Sequence, residues 1–287
     1  MSRAKKRMIC GTGILLALIA GMLVWFYIPY SPIKKEFSRD VNALLSQSDV
    51  FGADEVFSED DFAQFPPVIQ KYVSHSGFIG QPKMDYMRMR FNHVAFSQGP
   101  TGPDLRIDYT QYNNAHEPER LALIESSLYA IPFEGYDYYS RGTCAMRGVI
   151  GKAFTLFDQR GNQMDQACLA TYLAESLFVP AALLMGQVSF EQIDDYRVLA
   201  SLTYGTVSAS GEFMFSENYE MKEFVTHDRV VVREHGTMEY VPWVARASGY
   251  SRRADGLRLP TKLQAIWEYP DEPLVYFDGE ISEIIYG

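Results

Sequence analysis

The sequence predicts a β-rich α+β fold, in which an antiparallel sheet and a few helices follow one N-terminal transmembrane helix. An uncharged segment, residues 8–33, follows a basic N-terminus. Beyond residue 84, apolar and polar side chains alternate in short tracts, and turn-forming residues separate these tracts about every 8–15 positions. Only one long helical pattern, residues 165–185, interrupts them, whereas a wound α/β fold would alternate helices with strands.

The N-terminal segment has the length and the flanking charge of a membrane anchor. About 20 helical residues cross the ~30 Å hydrocarbon core, so residues 8–30 are long enough to span it. Basic residues among the first seven favour a cytoplasmic N-terminus and an extracytoplasmic main domain, that is, a single-pass protein of the cell membrane. A cleaved signal peptide is the alternative, although the bulky residues at 25–30 do not suit its small-residue cleavage site.

The chain divides into three predicted regions. Residues 1–31 form the basic cytoplasmic end and the anchor, residues 32–57 a stalk and a joint, and residues 58–287 a single β-rich extracytoplasmic domain. Apolar residues between positions 33 and 45 recur at intervals of three and four, which indicates a helix that continues from the anchor as the stalk.

The charge of the chain limits its partners. The formal net charge is -10, and because the first seven residues carry four positive charges, the remainder carries -14. An acidic domain is poorly suited to nucleic acid or to anionic lipid headgroups on a membrane surface. The 19 tyrosines and 18 phenylalanines suit a sheet with many half-buried rings.

Helices and strands follow from local patterns. Ser58 is expected to cap a helix that bends or restarts at Pro66 and Pro67 and ends near Gly77. Turns are expected at residues 99–103 and 132–135. The predicted strands are residues 84–96, 105–112, 121–130, 136–149, 152–158, 196–207, 211–215, 219–226, 230–234, 238–247, 263–269 and 275–286.

Glu175 is the most distinctive candidate for a functional side chain. It is a single carboxylate within the apolar helical segment that Pro180 interrupts. If it is buried, its environment would suit a general acid or a ligand-binding group. The alternative is a structural role, in which it accepts hydrogen bonds from an arginine or from backbone groups near the helix break.

Three further residues are predicted to bind a ligand. Trp243 and Trp267 are large rings near the C-terminus that are expected to line a cavity, although core packing is the alternative. Arg258 belongs to a group of nearby arginines and is expected to bind an anionic group, or otherwise to pair with the acidic surface.

Neither a metal site nor a cofactor is predicted. The histidines His75, His93, His116, His227 and His235 lack the spacing of metal ligands. Adjacent Asp194 and Asp195 would point to opposite faces of a strand, so a role in a turn or at the entry to a strand is favoured over a shared proton or cation.

Cys144 and Cys168 are the cysteines outside the anchor. In an oxidising compartment they would form one disulfide, and two separately buried thiols are the alternative.

Short motifs in a fixed order resemble an uncharacterised bacterial family of unknown function, whose members include membrane-associated proteins. The resemblance covers residues 62–286 and implies membership but no activity. The motifs are residues 65–72, residues 172–180 with Ala181 and Leu183, Ile193-Asp194, and Pro242-Trp243 followed by Gly256, Pro260 and Trp267. The layout also resembles the lipoprotein-carrier half-barrels of bacterial envelopes, which implies that the sheet is curved around an apolar concavity.

These observations lead to one leading hypothesis and two alternatives. The leading hypothesis is a membrane-anchored extracytoplasmic module that binds a lipid, a lipopeptide or another amphiphile in an apolar cavity lined by Glu175, Trp243 and Trp267. The first alternative is an envelope hydrolase or lyase that uses Glu175 with Asp194 or a histidine. The second is an interaction scaffold that presents a sheet edge to another protein. The oligomeric state cannot be read from the sequence.

Overall fold

The fold is described from a computed structural model of residues 3–47, 50–52, 54–97, 99, 104–233 and 236–287. The α-helices are α1 (Arg3–Tyr27), α2 (Pro32–Leu45), α3 (Glu59–Phe62), α4 (Pro67–His75) and α5 (Asn162–Glu175), and two 3-10 helices, Ser176–Phe178 and Pro180–Met185, follow α5. The first ten strands are β1 (Tyr86–Ser97), β2 (Asp104–Asn114), β3 (Arg120–Leu128), β4 (Ile131–Ser140), β5 (Thr143–Ile150), β6 (Phe154–Arg160), β7 (Val188–Asp194), β8 (Arg197–Tyr204), β9 (Val207–Phe215) and β10 (Met221–Thr226). The remaining strands are β11 (Val230–Val232), β12 (Met238–Tyr240), β13 (Trp243–Ser248), β14 (Ser251–Arg252), β15 (Arg258–Leu259), β16 (Lys262–Trp267) and β17 (Leu274–Tyr286).

Thirteen strands form one antiparallel sheet, in the order β6-β5-β4-β3-β2-β1-β17-β16-β13-β10-β9-β8-β7. The sheet consists of two meanders that meet where β1 pairs with β17. Helix α5 links the outermost strands, β6 and β7, and contacts β5 near one edge as well as β8 and β9 near the other. The sheet therefore curls around α5 as a half-barrel, and the predicted fold class is confirmed.

The main hydrophobic core fills the concave side of the sheet. Tyr72 of α4 and Leu169 of α5 are fully buried against strand residues such as Phe213. The disulfide between Cys144 of β5 and Cys168 of α5 joins the helix to the sheet, with a Cα–Cα distance of 6.2 Å. Of the two alternatives left open by the sequence, the structure contains the disulfide.

Helix α2, predicted as a stalk, packs on the opposite face of the sheet. Its buried residues Ile33, Phe37, Val41 and Leu44 contact a patch on β3, β4 and β5 formed by Leu121, Leu123, Tyr136 and Val149. Glu36 forms an ion pair with Arg147 of β5, and the Tyr136 hydroxyl donates to Asp40 at 2.9 Å. The helical spacing of the sequence was sufficient to predict this helix, but not the sheet face that covers it.

The helix boundaries near residue 58 follow the predicted chemistry. The Ser58 side chain accepts a hydrogen bond from the backbone of Asp61, and the Asp61 carboxylate accepts one from the backbone of Ser58. The helix restarts at Pro67, where the fixed φ of proline suits the first turn.

Several strand boundaries differ from the prediction. Residues 136–149 form two strands rather than one, because Arg141 and Gly142 adopt positive φ and close a hairpin. Residues 132–135 lie within β4 rather than in a turn, since Gly135 allows β3 to approach closely: a Cβ there would lie 2.9 Å from Ile124 Cδ1. Strand β7 is not among the predicted strands. The predicted turn at residues 99–103 and the end of the strand at Glu234 lie largely outside the described residues, as does His235.

Helix α1 is a long apolar helix near the N-terminus that has the length and composition of a membrane anchor or a signal sequence. Its C-terminal end is attached to the turn between β5 and β6. The Trp25 indole donates to the Gly151 carbonyl at 2.9 Å. The Lys152 ammonium donates to the carbonyls of Ile28, at 2.6 Å, and Trp25, at 3.3 Å, and thereby satisfies acceptors at the end of α1.

Candidate ligand-binding cavity

A cavity of about 300 Å³ lies between the concave face of the sheet and α5. Side chains of β1, β2, β3, β13, β16 and β17 form one wall, and α5 forms the opposite wall. Val230, Val231 and Val232 of the short β11–β12 hairpin cover part of it. Helix α5 therefore leaves part of the concave side of the sheet unfilled.

Aromatic side chains form much of the sheet wall. Trp243 and Trp267 are directly paired across β13 and β16, so both rings emerge on the same face. The Trp267 ring stacks on Tyr276 at a centroid distance of 5.7 Å, and the Trp243 indole donates to the Tyr276 hydroxyl at 2.9 Å. Farther along the wall, the rings of Phe91 and Phe277 meet edge to face at 5.3 Å. These contacts hold the wall in one arrangement.

A buried ion pair between Arg120 and Glu175 lies at the polar end of the cavity. Arg120 donates through Nε to Glu175 Oε2 at 2.8 Å and through Nη2 to Oε1 at 3.1 Å. The Asn113 amide also donates to Oε2, at 2.7 Å. The Glu175 carboxylate is thereby held by a two-point contact with the guanidinium, as the structural alternative from the sequence proposes.

Arg120 connects this ion pair to neighbouring polar side chains. Its Nη2 donates to the Tyr109 hydroxyl at 2.5 Å and to Gln111 Oε1 at 3.4 Å. Burial raises the pKa of Tyr109 above its usual range, so the phenol remains protonated and keeps a proton to donate. Together Arg120, Glu175, Tyr109 and Gln111 form a charged and hydrogen-bonded cluster within a mainly apolar cavity.

Arg229, in the loop between β10 and β11, is a second buried arginine in the cavity wall. Its guanidinium lies 4.3 Å from the ring centroid of Trp243 and 5.4 Å from that of Trp267. Nη1 donates to the Thr171 hydroxyl at 2.7 Å, whereas Nε is buried and donates to no described atom. No carboxylate oxygen of the described residues lies within 4.0 Å of this guanidinium. Arg229 therefore has the environment of a cation that lacks its counter-charge.

Asp137 of β4 also lines the cavity. Burial raises its pKa to about 6, although the positive charges of Arg120 and Arg229 lower it in part. Within the described part of the chain, its carboxylate accepts no hydrogen bond and forms no ion pair. Asp137 therefore changes its charge near pH 6, inside a site that also holds two arginines.

The structure brings together three of the four predicted site residues. Glu175, Trp243 and Trp267 line the same cavity. Arg258 does not: it lies in β15, where its guanidinium pairs with Glu220 at 2.6 Å, as the alternative interpretation of that residue proposes.

Arg120, Arg229 and Asp137 are not among the site residues that the sequence predicts. For Arg120 a signal exists, since period-two alternation places it on the same strand face as Ala122, in a strand rich in apolar residues. Arg229 is one charged residue before a run of valines, and its burial depends on two tryptophans that are distant in sequence.

The other polar candidates lie away from this cavity. Asp194 is the exposed last residue of β7; its carboxylate pairs with Arg197 at 2.7 Å and accepts a hydrogen bond from the Tyr196 backbone, so it stabilises the turn between β7 and β8. Neither Asp194 nor any histidine is among the described residues that line the cavity. Among the described residues there is no group of three side chains suited to hold a metal ion.

Solved structures similar to this chain include the following two. The first is an outer membrane lipoprotein-sorting protein domain from Vibrio parahaemolyticus, with 5% sequence identity and a TM-score of 0.42 over 76% of this chain and 90% of that chain. The second is a DUF1329 family protein from Desulfovibrio piger, with 9% identity and a TM-score of 0.31 over 81% of this chain and 94% of that chain.

No curated protein matches the sequence. A family profile, described as a family of unknown function (DUF6544), matches residues 55–279. This range contains nearly all of the sheet and every cavity residue discussed above, and it confirms the resemblance found in the sequence. The chain therefore belongs to the DUF6544 family.

Proposed function

We propose that this protein is a membrane-anchored extracytoplasmic module that binds a lipid or another small amphiphile in the cavity between the sheet and α5. One observation carries the proposal: the curled sheet and α5 border a partly open cavity of about 300 Å³ that is lined mainly by apolar and aromatic side chains and by a few charged ones. An apolar cavity with a few placed polar groups is the usual form of a small-molecule site.

The size of the cavity limits the ligand. Sites for drug-sized molecules have volumes of about 300–1,000 Å³, so this cavity is at the lower end of that range. It suits one short acyl or alkyl chain with a compact headgroup. In this proposal Trp243 and Trp267 contact the ligand, and Glu175 positions the side chain of Arg120 at the polar end. Arg258 has no role, because it lies outside the cavity.

The membrane attachment rests on α1. The apolar helix would span the bilayer, and the contacts of Trp25 and Lys152 would hold the domain close to the membrane exit. An amphiphile could then pass between the bilayer and the cavity over a short distance. Proteolysis of intact, wall-stripped cells tests this placement: the domain should be cleaved there as readily as after lysis.

The geometry does not favour the hydrolase or lyase hypothesis. An acid–base pair requires two groups within hydrogen-bond reach of one substrate. Both oxygens of Glu175 accept hydrogen bonds from Arg120, and Asp194 is exposed at the end of β7, outside the cavity lining.

A cavity-filling variant tests the binding proposal. Ala245 lies on the cavity side of β13, so Ala245→Phe would occupy the space that a ligand chain needs. Val275→Phe is a matched control. Val275 of β17 is 41% exposed, it is paired with Ile266, and neither residue lines the cavity. Soluble fragments that begin after α1 are purified without detergent, extracted and analysed by mass spectrometry.

We expect a co-purifying amphiphile in the unmodified fragment and in Val275→Phe, and its loss in Ala245→Phe. Added alkyl ligands should show the same order of binding in a titration. An unmodified fragment that carries no amphiphile and binds none of the added ligands would contradict the proposal.

A further inference from the structure

The Arg229 guanidinium is a buried cation without a paired anion. Only 6% of the residue is exposed, and one of its nitrogens, Nε, is buried without a hydrogen-bond acceptor among the described residues. Burial of an unpaired charge is strongly unfavourable, and each unsatisfied donor adds to the cost. A ligand that supplies a negative charge and acceptor oxygens would provide the missing counter-charge for this guanidinium.

The surroundings of Arg229 orient it for such a ligand. The Trp243 and Trp267 rings lie on its apolar side, and the Thr171 hydroxyl accepts a hydrogen bond from Nη1. A planar guanidinium held in this way presents its remaining donors in a fixed fork, which matches carboxylate, sulfonate and phosphate oxygens. The same tryptophans line the apolar cavity, so an anionic headgroup at Arg229 would leave its chain among the aromatic side chains.

The other charged groups of the site are less suited than Arg229 to bind an anionic headgroup. Arg120 is already neutralised by Glu175 in a two-point contact. Asp137 influences both arginines electrostatically but makes an ion pair with neither among the described residues.

We propose that the amphiphile bound in this cavity carries an anionic headgroup, and that Arg229 is the residue that binds it. This inference rests on the proposed function and names the chemical class of its ligand. The ligand is expected to have an anionic oxygen group attached to an apolar chain. A free inorganic anion lacks the chain that would contact the aromatic wall.

The test compares two probes of equal chain length on the full chain in lipid discs. Bromodecanesulfonate carries a charged headgroup at every working pH, whereas bromodecanol is neutral. Their bromine quenches tryptophan fluorescence, and the chain has three tryptophans. Replacing Trp25 with Phe leaves Trp243 and Trp267 as the reporters in the cavity wall. Free probe concentrations are measured by dialysis to correct for partition into the lipid.

We expect the sulfonate to bind at least about tenfold more tightly than the alcohol, which corresponds to ~1.4 kcal/mol and is typical of a hydrogen bond to a charged group. Arg229→Gln should remove this preference and leave alcohol binding within about twofold of the unmodified chain. Arg258→Gln is the matched control, since Arg258 is paired with Glu220 outside the cavity, and it should retain the preference.

Each outcome has a distinct meaning. Equal affinities of the unmodified chain for both probes would overturn the anionic inference and leave the proposed function standing, and this comparison needs no variant. A preference that survives Arg229→Gln, or that Arg258→Gln removes, would also overturn it. Displacement of the sulfonate probe by methanesulfonate, which lacks the chain, would indicate a simple anion site and overturn it as well. If neither probe quenches the fluorescence, the proposed function itself fails.

A different observation supports a second inference, about the surface next to α1. At the end of the sheet that holds the α1 terminus, several apolar side chains point into solvent: Tyr129 is 92% exposed, Phe154 73% and Leu156 57%. Tyr129 is in the β3–β4 turn, and Phe154 follows the β5–β6 turn that contains Lys152. Because β4 lies between β3 and β5, the two turns are neighbours at one end of the sheet.

We infer that these two turns rest on the outer surface of the bilayer. The surface is continuous with the end of α1, where a Cβ atom added to Gly151 would lie 3.4 Å from the Phe26 ring. Aromatic residues are favoured at the headgroup level of a membrane. The inference rests on the proposal that α1 spans the membrane.

Nitroxide labels on the full chain in lipid discs test this surface. Cysteines replace Tyr129 or Phe154, with Leu16 of α1 as a membrane reference and Leu199 of β8 as an exposed control, all in a chain with Cys10 replaced by Ser. Labels at 129 and 154 should be more accessible to oxygen than to a polar nickel reagent, as in the lipid, and the label at 199 should show the reverse.

Labels at 129 and 154 that behave like the one at 199 would overturn the inference. Protection of both from both reagents would indicate a covering protein and would also overturn it. A label at 16 without oxygen accessibility would instead show that α1 does not span the membrane.

Discussion

Asp137→Asn tests the electrostatics of the cavity most directly. Burial raises the pKa of Asp137 from 3.8 to about 6, while Arg120 and Arg229 offset part of the rise. The difference is about two pKa units, and each unit corresponds to ~1.36 kcal/mol. Ionised Asp137 therefore destabilises the fold by up to about 3 kcal/mol relative to the neutral carboxyl group.

The sign of the pH dependence follows from the raised pKa. The stabilisation associated with the neutral carboxyl is fully present below about pH 4 and is lost as the pH rises through about 6. Asparagine stays neutral throughout. Asp137→Asn should therefore match the unmodified protein near pH 4 and exceed its free energy of unfolding by up to about 3 kcal/mol at pH 8. For a domain of this size, the midpoint temperature should rise by about 6–12 °C at pH 8.

Thermal unfolding followed by circular dichroism at several pH values measures this difference. Asp104→Asn is the control, because Asp104 is exposed in β2 and the same chemical change there should give no pH-dependent difference. A variant that is less stable than the unmodified protein at every pH would refute the reasoning. That result would show that the positive charges of the two arginines stabilise the ionised Asp137 carboxylate more than burial destabilises it.

Three further predictions concern the ion pair, the disulfide and the attachment of α1. Glu175→Gln should lower the free energy of unfolding by about 3–5 kcal/mol because it leaves the Arg120 charge buried without a partner. Arg120→Met combined with Glu175→Leu should recover most of the lost stability. An unaltered urea transition for Glu175→Gln would contradict this prediction. Replacing Cys144 and Cys168 with Ser should cost about 3–4 kcal/mol, since the disulfide joins residues 24 positions apart, and unchanged thermal unfolding would argue against it. Lys152→Met should accelerate hydrogen exchange at the C-terminal end of α1, because the ammonium that donates to the carbonyl oxygens of Trp25 and Ile28 is removed. Equal exchange in both proteins would disprove that role.

Local patterns were sufficient to predict part of the cavity. Glu175 stands out as a carboxylate in an apolar helix, and Trp243 and Trp267 stand out as the large rings of C-terminal strands. That the rings are adjacent depends on the register of β13 with β16, which pairs Trp243 directly with Trp267. The register depends on the pairing of two strands over many residues, so it cannot be predicted from the sequence of one strand alone.

The charged residues Arg229 and Asp137 of the cavity could not be predicted in the same way. Arg229 lies in a short loop directly after Asp228, and Asp137, which lines the same cavity, is about ninety positions earlier in the sequence. Their common environment arises because the sheet curls and brings β4 and the β10–β11 loop around α5. The predicted turn at residues 132–135 was wrong for a related reason, since Gly135 serves close strand packing rather than a turn.

The sequence by itself determined the apolar N-terminal helix, the antiparallel β-rich class, the N-terminal cap of α3, the start of α4 at Pro67, and the family. Each depends on composition or on periodicity over a short range, where local sterics, hydrogen bonding and burial act. Only the tertiary structure decided that α2 packs on the sheet, that Cys144 bonds to Cys168, and that Arg229 stays buried without a paired carboxylate. These features depend on the curvature and register of thirteen strands, because they are contacts between residues that lie far apart along the chain.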